Sequence, residues 1–170
     1  AVVGAHGKTT TTGLLITALR RAGFEAGWLL GGLFQDDSVP PAALDRNGWV
    51  VAEIDESDGT IDRFSPEITV ATNLDWDHPD YYRQIGDLEA TFAALFARTR
   101  AAIYVNPACA LSARLAGRGY LAPVHRFGFT GEFAVRIVGM VDGRQVLDLA
   151  PPFGAPSARV RAGGDFNALN

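Results

Sequence analysis

Seven consecutive residues near the start of the chain combine the residue types that bind phosphate: Gly4, Ala5, His6, Gly7, Lys8, Thr9 and Thr10. They lie between an apolar strand end and the start of a helix, where backbone N–H groups converge on an anion. Gly4 and Gly7 permit close approach of the backbone. Lys8 can reach the outer phosphates of a nucleotide, and the hydroxyl of Thr9 can ligate magnesium. The pattern predicts a phosphate-binding loop rather than an ordinary turn between a strand and a helix.

Lys8 is the one lysine among the 15 basic residues of the chain. A lysine ammonium is a compact point charge on a flexible stem, whereas a guanidinium is a rigid fork. Chance survival in an arginine-biased composition would explain a single lysine equally well. Its position in the loop favours a role in binding phosphate.

A second group of candidates follows the apolar strand predicted for residues 49–54. Glu53, Asp55, Glu56 and Asp58 place four carboxylates within six residues. Ligands bind at the carboxyl edge of a parallel sheet, and a nearby cation keeps clustered carboxylates ionised. We therefore expect a magnesium site here, the alternative being a solvated acidic loop.

A third group follows the strand predicted for residues 68–72 and extends from Asn73 to Asp80. It contains His78, which would lie at the same edge of the sheet. A histidine is more often a structural hydrogen-bond partner than a metal ligand. Pro79 suits the first turn of a helix, and Asp77 could orient the imidazole, which favours ligation.

The last candidates are Asn167 and Asn170, three positions apart on a predicted first helical turn. Their amides would lie on one face of the helix, where they could hydrogen-bond to the edge of an adenine. Simple capping of the helix by asparagine is the alternative.

The elements that must position these groups alternate between short apolar strands and helices. This alternation predicts an α/β fold like that of the P-loop NTPases, a mostly parallel sheet with helices on both faces. The Asp142-Gly143 pair, between two alternating segments, predicts a small antiparallel appendage near the C-terminus. Strands are expected at residues 26–30, 49–54, 68–72, 101–105, 125–129, 133–141, 145–149 and 158–161, and helices at residues 9–21, 84–98 and 110–116.

Composition narrows the class of protein. A chain of 170 residues with a net charge of −4 is of ordinary size for one domain and lacks the basic balance of a nucleic-acid binder. Only Cys109 is present, so no internal disulfide forms, and a cytoplasmic location is expected. No apolar run is long enough to span a membrane. Both ends interrupt an element, which predicts one domain, residues 1–170, of a longer protein.

The motifs together resemble those of the Mur ligases. The short loop pattern ending in G-K-T-T, the segment E-I-D-E-S-D-G, the segment T-N-L-D-W-D-H-P-D and the terminal N-A-L-N each have a counterpart there. His6 followed by four threonines is similar to the muramate–alanine ligase branch. Two positions depart from the family pattern: Ala5 replaces a threonine and Phe166 a histidine. Val2 replaces the early glycine of the general P-loop signature, and the resulting shorter loop pattern is itself a point of resemblance to the Mur ligases.

The resemblance implies roles for the candidate residues. The ligands of a magnesium that bridges the ATP phosphates would be Thr9 and Glu53, and His78 would hold a second magnesium. Lys8, Glu53 and His78 would form the catalytic group. The asparagines at 167 and 170 would contact adenine, and the residues nearest the muramyl substrate would be Ser57, Asp58 and Asn73.

The implied reaction is an ADP-forming ligation of L-alanine to UDP-N-acetylmuramate through an acyl phosphate, a step of peptidoglycan precursor synthesis. The expected partners are ATP, the sugar nucleotide, the amino acid and flanking domains of the same chain. A murein peptide ligase is the nearest alternative, although Ser57 favours the alanine branch, since tyrosine is expected there in the recycling enzyme. A P-loop kinase or nucleotide-binding module would use Lys8 and Thr9 without forming an amide.

Overall fold

The computed structural model describes residues 1–44, 48–76, 80–161, 164 and 167. Its strands are β1 (Val2–Val3), β2 (Gly27–Leu29), β3 (Ala42–Ala43), β4 (Val50–Ala52), β5 (Ile68–Ala71), β6 (Ala102–Val105), β7 (Val124–Gly128), β8 (Phe133–Val141), β9 (Arg144–Leu149) and β10 (Ser157–Val160). Its helices are α1 (Lys8–Arg21), α2 (Ile85–Arg98) and α3 (Ala110–Ala116), with one 3-10 turn at Thr60–Arg63.

In the described ranges the strands form a seven-stranded and a three-stranded sheet, which meet at β1. The first has the order β1-β5-β6-β7-β8-β9-β10 and the second the order β3-β2-β4. A parallel bridge between Val2 and Glu53 joins them, and the Ile54 amide donates to the Val2 carbonyl at 3.0 Å. The strands β2, β4, β1, β5, β6 and β7 therefore run parallel in one continuous sheet, with β1 between β4 and β5.

One face of this sheet packs against α2 and α3. Helix α2 buries an apolar stripe spaced by three and four residues, comprising Leu88, Phe92, Leu95 and Phe96. These side chains share one core with Val3, Ala71 and Val105, which occupy paired positions on neighbouring strands. A reciprocal cap between Gln84 and Asp87 fixes the start of α2, one residue after its predicted start.

Helix α1 covers the opposite face. Val2 points away from Val3 because successive side chains of a strand alternate, and Val51 shares its face through the bridge to Glu53. Ile16 of α1 is buried and lines one small cavity together with Trp28 and Val51. The prediction of helices on both faces is confirmed.

The appendage consists of the hairpin β8–β9 and the strand β10. Asp142 and Gly143 both have positive φ, 50° and 68°, as a two-residue type I′ turn requires. The hairpin also continues the main sheet, because β8 pairs in parallel with β7. Gly131 permits the short connection: its φ is 112°, and a Cβ there would lie 2.7 Å from the Arg126 carbonyl oxygen.

Most predicted elements are confirmed to within about two residues at each end. Two elements, β3 and the 3-10 turn, were not predicted, because they are too short to show a hydrophobic period. None of the helices in the described part of the chain combines the length and apolar character that a membrane span requires.

We expect truncation of the core at Phe96 to destabilise the domain. Phe96 is fully buried and packs edge-to-face against Tyr120. Phe96→Ala should lower the free energy of unfolding by about 3–5 kcal/mol, measured by urea denaturation. The same change at Phe129, which is 46% exposed, should cost less than about 1 kcal/mol. Equal losses at the two positions would contradict this location of the core.

Candidate functional site

The loop between β1 and α1 presents an uncapped helix N-terminus. Gly7 has a φ of 81° and is the residue before the first helical position, Lys8, with no side chain capping the turn. The first turn contains no acidic residue, so its N–H groups and the helix dipole favour an anion. Thr9 and Thr10 are exposed at this end, whereas Thr11 and Thr12 are buried. These are the features of a phosphate-binding loop.

Two residues at the end of β5 fasten the loop. The side-chain amide of Asn73 donates to the His6 carbonyl at 2.6 Å and accepts from the His6 amide at 3.0 Å. The Thr72 hydroxyl donates to the same carbonyl at 2.7 Å, and the Ala5 amide donates to the Asn73 carbonyl at 3.0 Å. Asn73, for which the family resemblance implies a place near the substrate, therefore also holds both backbone groups of His6.

Gly4 lies directly against this fastening. Its φ is 135°, and a Cβ there would lie 2.4 Å from the Thr72 hydroxyl oxygen and 2.5 Å from the Asn73 carbonyl oxygen. Real Cβ atoms do not approach other atoms so closely, so only glycine fits.

Lys8 makes an ion pair with Glu56 for which the sequence pattern gives no signal. Its ammonium donates to the Gly4 carbonyl at 2.7 Å and to the carboxylate of Glu56 at 2.9 Å. The exposed fractions of the two side chains are 12% for Lys8 and 2% for Glu56. The acidic run by itself does not show which of its carboxylates is buried, and the structure identifies Glu56 as that carboxylate.

Glu53 lies beside Thr9, as predicted. The Thr9 hydroxyl donates to one Glu53 carboxylate oxygen at 2.7 Å, and the Gly31 amide donates to the other at 2.8 Å. A Cβ on Gly31 would lie 2.9 Å from the Glu53 carboxylate carbon, and one on Gly32 would lie 2.8 Å from the Thr9 methyl carbon. This glycine pair was not predicted, although its place just after β2 is a signal that the sequence contains.

The Thr9 and Glu53 oxygens suit a magnesium ion. Magnesium binds oxygen ligands octahedrally at about 2.0–2.1 Å, so adjacent ligands lie about 3 Å apart. The 2.7 Å between Thr9 Oγ1 and Glu53 Oε1 is close to that spacing. In the described residues no group of three or more His, Cys, Asp and Glu side chains could hold a metal. Few protein ligands are expected for a magnesium that also binds phosphates and water.

The rest of the acidic segment folds into turns of its own. The Ser57 hydroxyl and amide both donate to Asp55, and the Thr60 amide donates to Asp58. The Thr60 hydroxyl and amide bonds hold the pKa of Asp58 below its usual range. The Tyr82 hydroxyl donates to the Glu56 carbonyl at 2.6 Å, and burial raises the pKa of Tyr82 to about 12.

Two predicted residues, His78 and Asn170, lie outside the described residues, as do Asp77 and Pro79. Asn167 is described, partly buried, and its amide donates to the Gly164 carbonyl at 3.1 Å. The adenine contact predicted for Asn167 and Asn170 stays a prediction, as does the metal ligation predicted for His78.

The fold and the loop define the class of protein. A strand, a glycine-containing loop with Lys8 and Thr9, and a helix stand at the carboxyl edge of a parallel sheet, with an acidic residue at the end of the neighbouring strand. This is the arrangement of a P-loop nucleotide-binding domain. A sequence model of the family described as Mur ligase middle domain matches residues 2–170, and the chain belongs to that family.

Named relatives agree with this assignment. A UDP-N-acetylmuramate–L-alanine ligase of Syntrophotalea carbinolica is 44% identical over 92 residues, which cover 54% of this chain and 20% of that protein. The Kineococcus radiotolerans ligase of the same name is 35% identical over 178 residues, covering the whole of this chain and 37% of that protein. The chain thus spans well under two thirds of the length of these relatives.

Solved structures share the fold. The UDP-N-acetylmuramate-alanine ligase MurC of Thermotoga maritima superposes with a TM-score of 0.81 at 24% identity, over 99% of this chain and 38% of that one. A MurF ligase of Thermotoga maritima, solved in complex with ADP, has a TM-score of 0.72 at 14% identity, over 99% of this chain and 42% of that one.

We expect Gly4→Ala to displace the loop. The added Cβ would meet a backbone oxygen, which cannot rotate away, so nucleotide affinity should fall at least about 10-fold in a titration with a fluorescent ATP analogue. Gly23→Ala is the matched control, since Gly23 also has positive φ, 73°, but nothing within 4 Å of an added Cβ. Unchanged affinity in Gly4→Ala would show that the fastening does not shape the site.

Proposed function

We propose that the chain is the ATP-binding central domain of an ADP-forming ligase that joins L-alanine to UDP-N-acetylmuramate. The observation that supports this most directly is the pairing of Lys8 and Thr9 with two carboxylates of one segment, Glu56 and Glu53. The names of the relatives supply the substrate class. Flanking domains, which bind the sugar nucleotide and amino acid, complete the enzyme in this proposal.

The proposed reaction has two steps, formation of an acyl phosphate and its conversion to an amide. A carboxylate oxygen of the muramyl substrate attacks the γ-phosphorus of ATP, the bond to ADP breaks, and an acyl phosphate forms. The amine of L-alanine then attacks the acyl carbon, orthophosphate leaves, and the nitrogen loses a proton as the amide forms. The protein contributes chiefly orientation and electrostatic stabilisation, since phosphoryl transfer requires little covalent work from side chains.

Individual residues act at defined points. The N–H groups of the first turn of α1 bind phosphate oxygens, and the Lys8 ammonium stabilises charge on the transferred phosphoryl group. Thr9 and Glu53 would hold a magnesium, which when bound neutralises charge on the phosphates. We assign His78 as a ligand of a second magnesium. Asn167 and Asn170 are assigned to hydrogen bonds with the adenine.

We assign the muramyl substrate to the turn that follows Glu56. Ser57 and Asp58 occupy this turn, and Asn73 contributes by holding the loop against β5. Ser57 also separates this proposal from a murein peptide ligase, for which we expect tyrosine at that position. A cytoplasmic location stays a prediction from the single cysteine.

The proposal is tested by following orthophosphate in the full-length protein. Release should require UDP-N-acetylmuramate and L-alanine together, because each step consumes one of them. Release with nucleotide alone, or phosphate transfer to a stable product, would support a P-loop kinase or nucleotide-gated module instead. Dependence on a muropeptide rather than on L-alanine would support the recycling enzyme.

We expect Thr9→Val to weaken the use of magnesium. The substitution preserves shape and removes the hydroxyl beside Glu53, so the magnesium concentration for half-maximal activity should rise about 10-fold or more. Thr17→Val is the control, because the Thr17 hydroxyl bonds only within α1, to the Gly13 carbonyl at 2.7 Å. An unaltered magnesium requirement in Thr9→Val would remove Thr9 from the ligand set.

A further inference from the structure

We propose that Glu56 is a positioning residue for Lys8, holding the ammonium at the loop so that one donor remains for a phosphate oxygen. The inference rests on the proposed function, because it concerns how the same site transfers a phosphoryl group. It concerns the one buried acidic side chain among the described residues of the acidic segment.

The donors of Lys8 can be counted. An ammonium has three N–H donors and no acceptor. One goes to the Gly4 carbonyl at 2.7 Å and one to the Glu56 carboxylate at 2.9 Å. In the described part of the chain these two contacts leave a third donor for a ligand. The ammonium therefore has a fixed place before any phosphate arrives.

Stability alone does not account for a carboxylate at this position. Removing two charges from water is costly, and well-packed apolar residues often replace a buried ion pair without loss. Glu56 is 2% exposed, so it bears that cost. A flexible lysine stem, however, has many rotamers, and fixing it beforehand lowers the entropy lost when the ammonium contacts the transferred phosphoryl group in the transition state. Positioning gives the buried carboxylate a function that an apolar residue could not supply.

Glu56 is itself held in place from the other side. The Tyr82 hydroxyl donates to the Glu56 carbonyl at 2.6 Å, and Tyr82 is 2% exposed. Glu53, three residues earlier, bonds to Thr9. Two neighbouring residues, Lys8 and Thr9, are therefore each held by a carboxylate of the same segment.

A competing arrangement makes a different prediction. If Glu56 were a latch that Lys8 must leave in order to reach phosphate, neutralising Glu56 would tighten nucleotide binding. If Glu56 positions Lys8, neutralising it leaves binding nearly unchanged and slows the chemical step, because the loop amides still bind the phosphates.

The test uses Glu56→Gln, Lys8→Met and the double variant in the full-length protein. We expect Glu56→Gln to lower kcat about 10- to 100-fold while the KM for ATP and the Kd for ADP change less than about 3-fold. In the Lys8→Met background Glu56→Gln should change kcat less than about 2-fold, since its effect passes through Lys8. Glu67→Gln, at the exposed Glu67–Arg100 pair, is the matched control and should leave kcat unchanged.

The outcomes separate this inference from the proposed function. A kcat within 2-fold of wild type in Glu56→Gln, tighter ADP binding, or a further loss in the double variant would overturn the positioning role. Lys8→Met would still lower kcat strongly in that case, and the proposed function would stand. Absence of coupled orthophosphate release in the wild type would instead overturn the proposed function.

A second variant covers the case in which Glu56→Gln does not fold. Tyr82→Phe removes only the hydroxyl that holds the Glu56 backbone. It should lower kcat by about 3- to 10-fold, a smaller factor than Glu56→Gln, again with little change in the Kd for ADP. An unchanged kcat in Tyr82→Phe, with kcat strongly lowered in Lys8→Met, would also overturn the inference.

Discussion

The site depends on the fastening of the phosphate loop to the end of β5. A loop whose N–H groups point at a ligand must have its other polar groups satisfied by neighbours. Asn73 bonds to both backbone groups of His6, and Thr72 donates to the His6 carbonyl. The close contacts at Gly4 leave no room for a side chain, so the loop backbone can lie directly against Thr72 and Asn73. The direction in which α1 starts, and so the place where anions are attracted, follows from these contacts.

Strand order explains why the loop meets different partners on its two sides. Because β1 lies between β4 and β5, the loop that leaves β1 has Glu53 and Glu56 on one side and Asn73 on the other. Glu56 and Glu53 hold the side chains of Lys8 and Thr9, and Asn73 holds the backbone of His6. The core of α2 and α3 beneath β1, β5 and β6 keeps this edge rigid. Membership of the Mur ligase middle domain family is consistent with this division.

The two carboxylates at the site each face a side chain of the first turn of α1. Lys8 faces the buried Glu56, and Thr9 faces Glu53, whose second oxygen is occupied by the Gly31 amide. Each carboxylate is therefore oriented by hydrogen bonds from protein groups, which is how a preorganised polar site lowers the cost of reorganisation during a reaction. The exposed carboxylates Asp55 and Asp58 instead close local turns with Ser57 and Thr60.

The sequence by itself determined the elements, the loop and the edge of the sheet where the candidates meet, because periodicity, glycine placement and strand-end carboxylates are local signals. It could not choose among the carboxylates of residues 53–58, since burial depends on what packs against the segment, here Lys8 and Tyr82. Nor could it give the order in which β4, β1 and β5 lie side by side, which only long-range pairing decides. For the same reason the tertiary structure alone revealed Asn73 as a brace for the loop and Gly31 as a partner of Glu53.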